Sequence, residues 1–232
     1  SDAATPGPLL MEERKPTASQ AAPALTSTYD ALVLHERDIF SPKQSGRMLF
    51  GEPLMGGQPK RILVNLGHGE QAGNAIKVNY AYMARPSTQG FFTLSLDGKE
   101  LVKDPISLSE DHTSRDFLAG IYHFRSNVTA TTSSSNLALD ASYRPAGENA
   151  YVDFLEFIIE QRLRYTTGQQ TDFRRMQEGS DALLYQVSGL PQDGIILATS
   201  PEGSLPYRVQ TTQSGGTHSF TTQALDQEGQ PY

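Results

Sequence analysis

Two stretches offer chemistry by residue type. Ile62-Leu63-Val64-Asn65-Leu66 runs as an apolar strand into Gly67-His68-Gly69, setting an imidazole just past a strand end. Ile195-Ile196-Leu197-Ala198 is a second apolar run, and Thr199 after it carries a hydroxyl. A Thr hydroxyl attacks poorly until an adjacent base activates it, and nothing local supplies one. The chain has no Cys, which removes thiol nucleophiles, disulfides and thiolate metal sites together. A strand closing in a Gly-rich turn is the preferred reading of 62–69.

Other constellations fail on spacing. Gly67 and Gly69 begin a dinucleotide-type glycine pattern, but the third glycine, Gly73, comes one position late, and a strand follows where a helix is needed. His35, His112, His123 and His218 are scattered, and His35-Glu36 lacks a second His one helical turn on. Glu110, Asp111, Asp116 and Asp153 carry calcium-binding oxygens without the calcium-loop pattern. A glycosidase pair of carboxylates is assembled only in three dimensions, and no G-x-S-x-G elbow occurs. Tyr80, Tyr82, Tyr122 and Tyr143 would suit a sugar-stacking platform, although their alternation fits core or cross-strand packing better, and there is no Trp. Asn127-Val128-Thr129 is a lone glycosylation sequon. No catalytic residue, cofactor-binding residue or metal ligand is assigned, no cofactor is expected, and the chain is expected not to be an enzyme.

The elements that must position these groups are strands. Ile76, Val78, Tyr80 and Tyr82 alternate with polar or small residues, as do Phe92, Leu94 and Leu96, and Leu137, Leu139, Ala141 and Tyr143. Asp97-Gly98 between two such runs predicts a tight hairpin, because that turn needs φ > 0. Residues 31–34, 61–66, 120–124, 183–187, 195–198 and 206–210 are shorter strand candidates. The segment 151–165 (YVDFLEFIIEQRLRY) fits a helix, with Phe154, Phe157, Ile158 and Gln161 on one face. It also fits a strand, with Tyr151, Leu155, Phe157, Ile159 and Leu163 on one side. About ten strands with Gly and Pro turns predict an all-β antiparallel β-sandwich or barrel.

Composition bounds the rest. The net charge is −7, from 19 Lys and Arg against 26 Asp and Glu, which disfavours nucleic acid and anionic lipid as general partners. No apolar run is long enough for a membrane-spanning helix. Residues 1–27, with Pro6, Pro8, Pro16 and Pro23 among Ala, Ser and Thr, read as a flexible segment or linker. The expected organisation is that segment, a sandwich domain over 28–170, and further strands over 171–232. The start at Ser1 suggests a processed protein or a piece of a longer one, and no targeting segment is seen.

Residues 38–52, DIFSPKQSGRMLFGE, carry a family resemblance. Asp38, Phe40, Pro42, Ser45, Gly46, Phe50, Gly51 and Glu52 resemble the opening of the β-rich region upstream of the peptidase domain in PorU-type sortases of the type IX secretion system, relatives of the gingipains. The resemblance continues in order through Ala84-Arg85, the strand 137–145, Val152-Asp153-Phe154-Leu155-Glu156, Arg162-Leu163, Gly168-Gln169 and Phe173-Arg174. Near 197–201 only Thr199 and Pro201 fit the family's Trp-Asp-Val-Thr-Asp-Pro. The strand ending in His68 resembles the catalytic-histidine motif of caspase-like and gingipain-like peptidases, but its interval to Thr199 is too long for that pair.

The family resemblance implies a jelly-roll-like sandwich in which 151–165 is a long strand. It also implies a non-catalytic accessory domain whose parent is a cysteine peptidase and transpeptidase at the outer-membrane surface. That parent removes the C-terminal sorting signal of secreted cargo and attaches the cargo to lipopolysaccharide. Implied partners are the parent's own peptidase domain, the outer-membrane attachment-complex proteins and lipopolysaccharide glycan. A glycan-binding sandwich is the alternative reading.

Overall fold

The structure, a computed structural model, describes residues 13–14, 23–41, 49–54, 57–67, 69–85, 89–106, 122–144, 149–168, 170, 173, 183–198 and 207–221. The first strands are β1 (Glu13–Arg14), β2 (Ala24–Thr26), β3 (Thr28–Glu36), β4 (Lys60–Asn65) and β5 (Gln71–Arg85). Next come β6 (Gly90–Leu96), β7 (Lys99–Ile106), β8 (Tyr122–Thr131), β9 (Asn136–Arg144) and β10 (Asn149–Arg162). The last are β11 (Leu183–Ser188), β12 (Leu197–Ala198), β13 (Tyr207–Val209), β14 (Thr212–Ser214) and β15 (Thr217–Thr221). Among the described residues there is no α-helix, and none long and apolar enough to cross a membrane. The fold class is the all-β sandwich that the alternating pattern predicts.

Two compact units divide the chain, 30–161 and the pair of segments 1–29 and 162–232. The first is the sandwich. One sheet has the order β3-β10-β5-β8 and the other β4-β9-β6-β7. Period-two sequences build both, since alternate side chains of a strand point to one face. In β6, Gly90, Phe92, Leu94 and Leu96 are buried while Phe91, Thr93 and Ser95 are half-buried. Their inward side chains meet Ile76, Val78, Tyr80 and Tyr82 of β5 in one core, where the Tyr82 and Phe92 rings stack with centroids 4.0 Å apart. Full burial of each such large apolar side chain contributes about 1.5–3 kcal/mol. Asp97 (φ 48) and Gly98 (φ 82) both have positive φ, as the two-residue hairpin turn between β6 and β7 requires.

The ambiguous segment is a strand. β10 pairs with β5 along nearly its whole length, with register shifts between Val152 and Phe154 and between Ile159 and Gln161. The first shift corrects the expected facing. With Asp153 as the extra residue, Val152 and Leu155 both reach the main core, and Tyr151 points instead to the outer face beside Phe50 and Met83.

In the second unit, β2 pairs with β11 in parallel, so residues 24–26, inside the stretch read as a linker, are a strand. β11, β15 and β14 continue that sheet antiparallel, and β1, β13 and β12 form another. Tyr185 and Phe220 stack at 5.3 Å, and Phe173 packs against Tyr29, Tyr185 and Phe220.

Candidate functional site

The described residues around 38–54 are held on the outer face and edge of the β10 sheet. Phe40 and Phe50 form an isolated antiparallel bridge, with Phe50 N donating to Phe40 O at 2.8 Å and Phe40 N to Phe50 O at 2.9 Å. The Phe40 ring stacks on Tyr151 at 4.4 Å and an interplanar angle of 5°, and Phe50, Met83 and Tyr151 complete a small apolar cluster. Burial there pushes the Tyr151 phenol above its ordinary pKa, because the phenolate loses its hydration. Beyond the bridge the chain runs along β10. Gly51 N donates to Val152 O at 2.7 Å, Val152 N to Glu52 O at 3.0 Å, and Leu54 N to Ala150 O at 2.8 Å.

That course demands a glycine at 51 for room, not for a left-handed backbone. A Cβ there would lie 3.0 Å from Arg37 O and 3.1 Å from Val152 O. Glu52 follows and is 4% exposed. Its Oε1 accepts a hydrogen bond from His35 Nε2 at 3.0 Å, and the exposed Arg37 guanidinium reaches the same oxygen at 3.5 Å. Glu52 Oε2 is buried and has no partner among the described residues. A buried carboxylate is costly unless paired, so His35 and Arg37 tie the end of β3 to the turn. The cluster can fasten, and Oε2 can accept one further donor. It offers no nucleophile beyond the hydroxyl of Ser41, itself buried and without a hydrogen-bond partner among the described residues.

Of the residues weighed from sequence, those that are described are not brought together. His68, Thr199, His112, Glu110, Asp111 and Asp116 lie outside the described residues, and Tyr122 and His123 are described by backbone alone. The glycines flanking His68 have structural reasons. Gly67 has φ +87, and a Cβ on Gly69 would collide with the side-chain amide of buried Gln161. Gly73 lies within β5. His35 belongs to the Glu52 cluster. His218 is 2% exposed in β15, its Nδ1 3.2 Å from Thr211 Oγ1. Tyr80, Tyr82 and Tyr143 are core residues, so they form no sugar-stacking platform. Asp153 is half-buried at the bulge, and Glu156 accepts a hydrogen bond from Asn79 Nδ2. Asn127 is exposed on β8. Among the described residues no group of three His, Asp or Glu side chains could hold a metal ion. The sequence marked Gly51 and Glu52 through the family pattern, but it gave no signal for His35 as Glu52's partner.

Fold and site together define a β-sandwich unit and a strand-rich unit, with the buried Glu52 carboxylate fastening the described residues of 49–54 to the end of β3. The chain is PorU-like: it is similar over 97% of its length to the crystal structure of dimeric latent PorU from Porphyromonas gingivalis, with a TM-score of 0.79 and 26% identity. It spans 21% of that chain's length. A family 35 carbohydrate-binding module from Clostridium thermocellum matches 56% of this chain and 95% of its own at 10% identity and a TM-score of 0.35, too low for any argument about binding. No family model and no curated protein matches the chain.

Proposed function

We propose that this chain is a non-catalytic accessory region of a type IX secretion system sortase, exported and held at the cell surface. The observation that carries the reading is the likeness to PorU across nearly the whole chain, over only about a fifth of PorU itself. The peptidase and transpeptidase chemistry then belongs to the rest of such a parent, which removes a sorting signal from cargo and joins the cargo to lipopolysaccharide. The lack of any Cys in a relative of cysteine peptidases agrees with this division of labour. Its proposed partners are the parent's own peptidase domain and the outer-membrane attachment-complex proteins. Because the PorU structure is of a dimeric, latent form, self-association of this chain is part of the proposal.

The test is calorimetric titration of the 232-residue chain into the separately produced remainder of its parent, with cleavage of a peptide substrate followed alongside. The expected result is saturable binding with altered turnover, and no cleavage by this chain alone. Peptide cleavage by the isolated chain would defeat the reading.

A further inference from the structure

The outer face of the β4-β9-β6-β7 sheet carries two guanidinium groups with different surroundings. Arg61 on β4 donates to both carboxylate oxygens of Asp140 on β9, at 2.9 and 2.8 Å. Arg144, farther along β9 on the same face, is exposed and has no acidic partner among the described residues.

The register sets what stands around Arg144. Phe91 on β6 is directly opposite it, and Pro105 on β7 is opposite Phe91 from the other side. In the next row Lys103 and Ser142 flank Thr93. These side chains point away from the core, because Phe92, Leu94, Val102 and Tyr143 between them are buried in it. The Lys103 Nζ lies 4.5 Å from the centroid of the Phe91 ring, a cation–π contact that holds the ammonium in place. Opposite residues on neighbouring strands have Cβ atoms only about 4.5–5.5 Å apart, so two positive charges flank one ring. The acids of this face, Asp140 and Glu100, stand opposite Ser95, and Asp140 is already held by Arg61.

We propose that this patch docks a short acidic segment of another protein. Arg144 grips one carboxylate with the two-bond fork that Arg61 shows on Asp140, and Lys103 holds a second. Charge complementarity names the occupant. Two cations lack counter-ions in a chain whose net charge is −7. An extended polyanion, such as nucleic acid or an anionic membrane, meets repulsion from the rest of such a chain, whereas a few carboxylates match two cations. Phe91 holds an ammonium where a sugar ring would stack, which favours a protein over a glycan. Pro105 has no backbone donor for strand pairing, so the segment lies across the face instead of lengthening the sheet at β7. The contact does not depend on the accessory role.

Fluorescence anisotropy of a labelled oligo-glutamate peptide, titrated with the 232-residue chain, tests it. The expected result is saturable binding at about 0.01 M salt that weakens at least about tenfold at about 0.1 M, as the screening length falls from about 30 to about 10 Å. Arg144→Glu should raise the dissociation constant at least about tenfold, and Arg144→Lys, which keeps the charge and loses the fork, should raise it part of the way. Lys77→Glu makes the same change of charge on the outer face of the other sheet and should alter binding far less. All these side chains are exposed, so the variants should melt like the unaltered chain. A peptide that does not bind at low salt overturns the proposal, as does binding that Arg144→Glu and Lys103→Glu together leave unchanged. Polygalacturonate bound as tightly as the peptide overturns the protein partner in favour of an acidic polysaccharide. None of these results touches the accessory role, which the titration with the parent's remainder tests separately.

Discussion

Replacing Gly51 by Ala sets two effects of opposite sign against each other. Gly51 is not among the glycines with positive φ, so Ala can adopt its backbone conformation, and removing a glycine from the unfolded chain would by itself stabilise by about 0.4–1 kcal/mol. The new methyl would meet two backbone carbonyls, Arg37 O at 3.0 Å and Val152 O at 3.1 Å. Neither is the end of a flexible side chain. Val152 O is held by the 2.7 Å hydrogen bond from Gly51 N itself, so relief means lengthening that bond and moving 51–54 off β10. Overpacking of this kind costs about 1–3 kcal/mol. The net expectation is destabilisation by about 1–2 kcal/mol, read from the urea midpoint at unchanged m-value. A Gly51→Ala chain as stable as the unaltered one, or more so, would refute the close-approach account.

Three further outcomes follow from the same geometry. His35→Ala removes the hydrogen bond to a carboxylate 4% exposed and should cost about 1–3 kcal/mol, with Glu52→Leu in the same chain recovering part of it in urea melts. Gly98→Ala, at φ 82 in the β6–β7 turn, should destabilise by about 1 kcal/mol, whereas Asp97→Asn should change little. Burial raises the Tyr80 phenol from 10.0 to about 12, its bond to Asp104 adding to the shift, and raises Tyr82 further still. The unfolded chain therefore ionises first. The contribution of Tyr80 is fully present below pH 10.0, falls as pH rises, and is gone above about 12. Tyr80→Phe should flatten that part of the alkaline melting curve, which thermal melts with phenolate absorbance will follow.

What the sequence revealed was whatever is local. The alternations in β5, β6 and β9 and the Asp97-Gly98 turn each state their geometry within a few residues, and all four took the predicted form. Periodicity left 151–165 open, and even the strand reading misplaced Tyr151, because a bulge at Asp153 inverts the facing and no residue type announces it. The parallel pairing of β2 with β11 joins Ala24 to Leu183, a contact that no local pattern encodes. The site shows the same divide. Gly51 and Glu52 were visible as part of a family pattern, which gave no reason for the glycine. Its reason is space beside Arg37 O and Val152 O, and Glu52 gains its meaning from His35, 17 positions away.

The parallel strand β2 also sets an order of events during synthesis. Residues 30–161 form one compact unit from a continuous piece of chain, so all eight sandwich strands are available once β10 has emerged. The other unit is split around it. β2 is made early, but its neighbour β11 and the strands that follow arrive only after the whole insert has been synthesised. Loop closure over that interval is costly for a loose chain and cheaper once the intervening residues have collapsed into a folded body. The sandwich thus serves as the template that brings the first and last strands of its companion within reach, and mutations that slow the sandwich should delay the second unit as well.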